Sequence, residues 1–560
     1  LINSNNMSIS RGTIEANNYY GTGRKHFETG NISLTAEQSF VGYNPWILIN
    51  SHTSGGAGDM IINTGELIGE GLGSAANTEF WIMAYGGNTG QLEINADSFD
   101  ARQVRVINAA LADRGKLTDA EKQFYGDINI KARDMNLENF TLFTGSSRNP
   151  RDHTIGDVLI SAENDIKIGG FMWIDHFQEA TQGMGGDIVF SAKNILNRLD
   201  PENVDPTYYP RINGTGSISF LAEENLELGR MKFSGINNRP SRTLENKFKG
   251  KNIILGMNLG DEALTADNVI FEYPDNAPDD HRVVINAEND VSFVSGVNLI
   301  TPALSLEADN FSINDSKITM GATFSSQIDV IGGMKLSGVS TIESLSPYFD
   351  LKNATEPVSI NISTGQLILE SDSQIRSLNH EDDAVGSSAI ANLTIQSGEI
   401  VLEDNAFIGS WTSNLAMAGE LNVDASSIIL NNEAFMGSYT YSNAGSGDVK
   451  INSNGITLSN KSGIESGLDP RIFDLDMDPF LPDDVGDIQI TSENLNLEGG
   501  SFIINSHIDT TLPGNISVAS KKISLANGSY ITTESVPLYQ SDFSNRTEVD
   551  QNGSVNIKTG

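Results

Sequence analysis

The chain has 560 residues, of which 38% are hydrophobic, 54 are glycine and none is cysteine, and its formal net charge is −38. So acidic a surface repels phosphate backbones and anionic lipid, which argues against nucleic-acid binding and membrane insertion. The lack of cysteine excludes disulfides, thiolate metal sites and a cysteine nucleophile. No apolar run approaches the roughly 18–20 residues that span a bilayer. The chain starts at Leu1 with no signal-peptide pattern, so it reads as processed or excised from a longer one.

Length alone allows several domains, but one repeat runs through the sequence. Its template is apolar at relative positions 0, 2, 7, 9 and 15, clearest at Ile488, Ile490, Leu495, Leu497 and Ile503. In chain order, weaker copies begin near Ile32, Met60 and Leu92. Ile128, Ile130, Met135, Leu137 and Phe143 form a clear copy, and Val158, Ile160, Ile166, Ile168 and Ile174 form one with an extra corner residue. Weaker starts follow at Ile188 and Ile218, then Val283, Ile285, Val291, Phe293 and Leu299. After Leu304, Ile328 and Ile360 come Leu393/Ile395/Ile400/Leu402/Ile408, Leu421/Val423/Ile428/Leu430/Met436 and Val449/Ile451/Ile456/Leu458/Ile464. The last copy is Ile516/Val518/Ile523/Leu525/Ile531. There are about 17–18 copies, a solenoid spacing of roughly 20–40 residues.

Residues two apart share one side of a strand, so each copy predicts three very short strands separated by Asn, Ser, Glu and Gly corners. One copy cannot bury its apolar side alone, and stacking is required. Gly-Asp or Gly-Asn precedes the first strand at Gly30-Asn31, Gly58-Asp59, Gly126-Asp127, Gly156-Asp157, Gly186-Asp187, Gly447-Asp448, Gly486-Asp487 and Gly514-Asn515. The expected roles are a positive φ for the glycine and a bond from the Asp or Asn side chain to the backbone of its own turn. Corner residues such as Ser492 and Asn494 are expected to stack as like-on-like ladders. The fold class expected is all-β, a parallel β-helix with loop excursions and a single continuous body over residues 1–560. Its periodicity is weakest around 251–280.

The loops that break the repeat are where specific function is expected. Arg114–Phe124 has capping-box spacing at Thr118 and Glu121 and predicts a helical turn. Leu199–Gly214 is Pro-rich and carries Tyr208 and Tyr209. Arg230–Lys251 is basic, with Arg239, Arg242 and Lys247 among its cations. Pro274–His281 and Asp469–Asp487 are acidic and Pro-rich.

Copies such as GDIVFSAKNIL, GDIQITSENLNLEGGSFIINS and GNISVASKKISLANGSYITTES resemble the repeat region of filamentous-haemagglutinin-like exoproteins of the two-partner secretion type. The resemblance spans nearly the whole chain and is clearest over 392–560. It implies a right-handed parallel β-helix exported through a dedicated outer-membrane pore to the extracellular surface of a Gram-negative cell. Members serve as adhesins, toxin-presenting stalks or matrix components. That family's amino-terminal secretion domain carries an Asn-Pro-Asn-Gly type motif. Asn44-Pro45-Trp46 lacks it, so the chain reads as stalk without secretion domain.

Asp474, Asp476 and Asp478 space carboxylates two apart, which suits Ca²⁺, but Pro479 and Val485 stand where an EF-hand needs Gly and Glu; a solvated acidic loop is the simpler reading. With 73 acidic residues, no glycosidase pair can be singled out. The histidines are scattered without metal spacing, and no nucleophile elbow, P-loop or dinucleotide fingerprint is present. Trp46, Trp81 and Trp173 lie near third strands, and Tyr19, Tyr20, Tyr208, Tyr209, Tyr439 and Tyr441 lie in or beside loops. Such aromatics stack on sugars or simply pack on a sheet face. Tyr208, Tyr209, Arg239, Arg242 and Lys247 are the candidate glycan or partner contacts. The leading expectation is a non-enzymatic extracellular adhesin stalk holding loops or a tip toward a glycan or protein on a host or neighbouring cell. The alternatives are a filament subunit assembling end to end with other copies, and a polysaccharide-binding or -cleaving β-helix of the lyase or tailspike kind.

Overall fold

The computed structural model describes residues 1–18, 29–51, 56–70, 77–84, 88–110, 123–146, 153–178, 186–197, 210–214, 216–235, 244–256, 269–272, 281–321, 325–346, 358–379, 391–412, 418–440, 445–468, 485–508, 514–536 and 553–559. Among the described residues every regular element is a β-strand. The chain divides into two compact units, Leu1–Glu288 and Asn289–Gly560.

In the first unit, Ile32–Tyr43 pairs in parallel with Met60–Glu70, which pairs with Leu92–Ala101, which pairs with Ile128–Ser146. A second ladder runs Trp46–Ser51, Thr78–Ala84, Val104–Ala110 and the second half of Ile128–Ser146. Each strand thus bonds to its equivalent in the next repeat, not to its neighbour in sequence.

The second unit repeats the arrangement with greater regularity. One ladder runs through Val358–Leu369, Ala391–Glu403, Leu421–Asn431, Val449–Leu458, Ile488–Leu497 and Ile516–Leu525. The other runs through Gln374–Asn379, Phe407–Thr412, Phe435–Thr440, Gly463–Leu468, Phe502–Ile508 and Tyr530–Val536. Equivalent template positions face one another, as in Ile395, Val423, Ile451, Ile490 and Val518.

The template residues form the core. All five positions are buried in the copies starting at Leu393, Leu421, Val449 and Ile488. The copy at Ile516 buries Ile516 and Val518 but leaves Leu525 47% exposed. At Ile128 the fifth position is Leu142, which is buried, whereas Phe143 is half-buried and faces outward.

The copies at Val283 and Leu304 keep the three separate short strands expected, whereas in most others three become two elements because the first and second run on as one, as in Ile488–Leu497. An inward hydroxyl closes the bend between them by donating to the carbonyl two residues on. Thr64 does so to Glu66 (2.9 Å), Thr364 to Gln366 (2.9 Å), Ser397 to Glu399 (2.7 Å) and Ser453 to Gly455 (3.0 Å). The bend therefore costs the ladder a single step rather than a break.

The restart glycines do not adopt positive φ. Except at Gly30, which has open space, their requirement is close approach: a Cβ at Gly186 would strike the carbonyl of Gly156, one at Gly486 that of Gly447, and one at Gly447 that of Gly419. Nor does the following carboxylate serve its own turn. Asp127 Oδ1 accepts from the backbone N–H of Asp157 (2.9 Å), Asp157 from Asp187 (2.8 Å) and Asp187 from Ser217 (2.9 Å). Asp448 and Asp487 do the same toward Asp487 and Asn515 (2.9 and 2.7 Å). Glycine lets successive backbones touch, and the next side chain clips one repeat to the following one.

The expected ladder forms at Ser492, whose Oγ donates to Ser520 Oγ (3.0 Å), and another joins Asn460 Nδ2 to Asn432 Oδ1 (3.0 Å), but Asn494 faces Gly455 and Lys522 and has no like partner. The helical turn expected within Arg114–Phe124 lies largely outside the described residues; its end, Gln123–Phe124, is a short strand paired with His153–Thr154.

Candidate functional site

The bend between the first and second strand segments produces a concavity in the second unit. Four successive ladder strands contribute to it, through Ser363 and Thr364, Gln396 and Ser397, Asp424 to Ser426, and Asn452 to Asn454. The groove holds about 480 Å³. Its depth follows from the local sequence: Ser, Thr and Ala fill the inward corner positions, and Gly365 and Gly398 carry no side chain to bridge the gap.

Registers stack the outward positions in line: Ser363 faces Gln396, Gln396 faces Asp424 and Asp424 faces Asn452. Asp424 is the only ionisable residue in the lining, and Asn452 Nδ2 donates to its Oδ1 (3.3 Å). Glycoside hydrolysis needs two carboxylates across the scissile bond, so this lining can bind but does not supply that pair. At one end, Ile331 stands 82% exposed in a bulge where Val330 and Gly333 pair with Thr364 and Gln366.

The outer face of the third-strand ladder carries aromatic side chains in both units. Trp46, 49% exposed, stacks on Trp81 with ring centroids 5.6 Å apart. Trp173 meets Phe143 edge-on at 5.1 Å. In the second unit Tyr439 is buried and packs against Phe407 at 5.6 Å, so packing accounts for it.

A charged cluster lies on the same face. Glu343 is buried, with Lys317 Nζ 2.6 Å from one carboxylate oxygen and Arg376 Nη2 2.7 Å from the other. Thr319 Oγ1 adds a hydrogen bond of 3.2 Å, and the Arg376 guanidinium lies 5.8 Å from the Trp411 ring centre. Burial alone would raise the Glu343 carboxyl, but hydrogen bonds from Lys317 and Arg376 outweigh it and hold it below its ordinary range. A carboxylate so fully partnered is built for structure.

Of the residues singled out from the sequence, Asp474, Asp476, Asp478, Tyr208, Tyr209, Arg239 and Arg242 lie outside the described residues, as do Tyr19, Tyr20 and Tyr441. Lys247 is exposed on Leu244–Gly250, its Nζ 2.9 Å from Glu245 Oε2. Glu245 also takes Arg282, so the local cations are partly neutralised. Among the described residues no group of three His, Asp or Glu is placed to hold a metal ion. The groove was not anticipated, although its signal is present: the position after the second apolar residue is polar in every copy from Ser363 to Thr491. No family model matches the chain, and neither the curated proteins nor the solved structures contain a match to it.

Proposed function

We propose that the chain is the non-enzymatic stalk of an extracellular adhesin, built as a right-handed parallel β-helix of about 17–18 coils. The observation that carries this is the pairing of each strand with its equivalent one repeat on, in register, through each unit. That pattern gives hydrogen bonds directed from repeat to repeat and so a stiff support, and the insertions between repeats are free to vary in sequence without disturbing it. The resemblance of the repeats to those of filamentous-haemagglutinin-like exoproteins supports the surface location, a secretion-pore partner and a receptor on a host or neighbouring cell. The acidic surface suits a soluble, exposed role.

Beads coated with the folded chain should attach to target cells, and beads coated with acid-unfolded chain should not; negative-stain images should show separate rods. Release of new reducing or unsaturated ends from polysaccharides would replace the stalk with an enzyme. Concentration-dependent end-to-end fibres would replace it with a matrix subunit.

A further inference from the structure

We infer that the groove between Ser363 and Asn454 is a binding site for a neutral, linear oligosaccharide laid across the ladder strands. Four observations carry this beyond the stalk function, on which it does not depend.

The first is unused hydrogen-bonding capacity. Elsewhere corner amides are tied to one another: Asn95 donates to Asn63 (2.9 Å), Asn225 to Asn194 (2.9 Å), Asn252 to Asn225 (3.0 Å) and Asn460 to Asn431 (2.8 Å). In the groove, the side chains of Gln396, Ser426 and Asn454 make no hydrogen bond among the described residues, yet all three line the same concavity. Amides and hydroxyls both donate and accept, which matches sugar hydroxyls, themselves donor and acceptor.

The second is charge. The lining holds no cation, and its one carboxylate is already engaged by Asn452. An anionic ligand would meet a chain of net charge −38 with nothing to offset the repulsion. A lone carboxylate is too few ligands for Ca²⁺, which takes six to eight oxygens.

The third is shape. At about 4.8 Å per strand the four contributing strands extend over about 14 Å, offering similar polar groups at each step. A polymer with repeating hydroxyls meets that row in kind, and the volume of about 480 Å³ falls within the ordinary range of ligand clefts. The fourth is Ile331, outside the lining but 82% exposed on the adjoining strand, next to Val330, which pairs with the lining residue Thr364; it offers an apolar surface for the C–H face of a ring that extends past the groove.

The test uses the whole chain and hexasaccharides of β-1,4-glucose, β-1,4-xylose and α-1,4-glucose, with hexagalacturonate as the acidic counterpart, read by titration calorimetry. At least one neutral hexasaccharide should bind and hexagalacturonate should not. Ser426→Trp, which fills the groove from an outward position, should weaken binding at least tenfold. Gln396→Ala removes one hydrogen-bonding side chain and should weaken it by about three- to tenfold. Lys131→Ala, an exposed position in the other unit, should leave it unchanged. The inference is overturned by no binding of any neutral hexasaccharide, by tighter binding of hexagalacturonate, or by unaltered affinity in Gln396→Ala together with Ser426→Trp.

Discussion

The two units solve the same corner differently. Where the second strand segment gives way to the third, the first unit uses one left-handed residue: Asn44 (φ 54°), Asn139 (φ 54°), Gly170 (φ 57°) or Arg230 (φ 35°). From Ser371 onward the second unit uses two in succession: Ser371 and Asp372, Asp404 and Asn405, Asn432 and Glu433, Asn460 and Lys461, Gly499 and Gly500, Asn527 and Gly528. A serine closes four of these six corners, and Ser340 closes the single corner at Gly338 in the same way by donating to the Ser337 carbonyl. Ser373, Ser462, Ser501 and Ser529 each donate to the carbonyl three residues back, at 2.6, 2.7, 2.7 and 2.8 Å. The earlier part of the second unit mixes the two, with a double left-handed corner at Ser295 and Gly296 and single ones at Asp315 and Gly338, so the corner type follows local sequence rather than the unit boundary.

The third-strand interiors differ too. In the first unit Asn108, Thr144 and His176 stack in register, all buried. The second places Ser377, Ser410, Ser438 and Ser466 there. Ser466 Oγ donates to Gly486 O (3.0 Å) and Asn108 Nδ2 to Gly126 O (2.9 Å), so in both units this column bonds the restart glycines from inside. A small hydroxyl repeats easily; an imidazole brings a titration with it.

What both units share should give the largest effect. Gly186→Ala and Gly486→Ala should each destabilise by about 4 kcal/mol or more, because the new methyl meets backbone that cannot retreat. Gly455→Ala has open space and should change stability by no more than about 0.5 kcal/mol. Urea unfolding of the three variants reads the contrast, and equal effects would remove close approach as the reason for glycine.

Next is Glu343→Gln, confined to the second unit. It leaves two cations around a neutral group and should cost about 3–5 kcal/mol. In the parent the contribution of Glu343 is complete above its ordinary pKa of 4.5 and is lost as pH falls through the lowered folded value. The variant should therefore lose less stability on acidification below that point than the parent does.

The first unit carries its own acid sensitivity. Burial pushes His176 down to about 3, against a pull upward from its bond with the Gly186 backbone. Between 6.5 and that value the unfolded chain binds the proton and the folded chain does not, so stability falls as pH falls, by roughly 1.4 kcal/mol per pH unit. Hydrogen exchange at pH 4 should show the strands around His176 opening before those around Ser466, and a His176→Asn variant should remove the difference. The smallest effect belongs to the corners: Glu433→Gly relieves a left-handed side chain (φ 60°) and should stabilise by up to about 1 kcal/mol in thermal melts.

Much of this was legible in the sequence. The period-two apolar pairs gave the strands, and identical spacing between copies gave their register, because a one-residue slip would turn every core side chain outward. The fifth template position, at 15, holds where the corner has two left-handed residues. It fails at Ile128, where the single Asn139 shortens the path and brings Leu142 inward instead of Phe143. The restart glycines were found for the wrong reason, since close approach between repeats leaves no local signature that separates it from a turn. The groove was missed because it depends on which side chains four different repeats leave without partners, a property of the stack and not of any one copy.

The in-register parallel ladder on which the stalk and the groove both rest can be tested directly in a chain with no cysteine background. Asn452 faces Thr491, and Gln489 lies two residues off that register. Equivalent Cα atoms in neighbouring strands stand about 4.8 Å apart, within disulfide range, whereas the offset pair stands at about 8 Å, outside it. Under mild oxidation Asn452→Cys with Thr491→Cys should close a disulfide readily, and Asn452→Cys with Gln489→Cys should not. Equal closure of both pairs, or preference for the offset pair, would contradict the ladder.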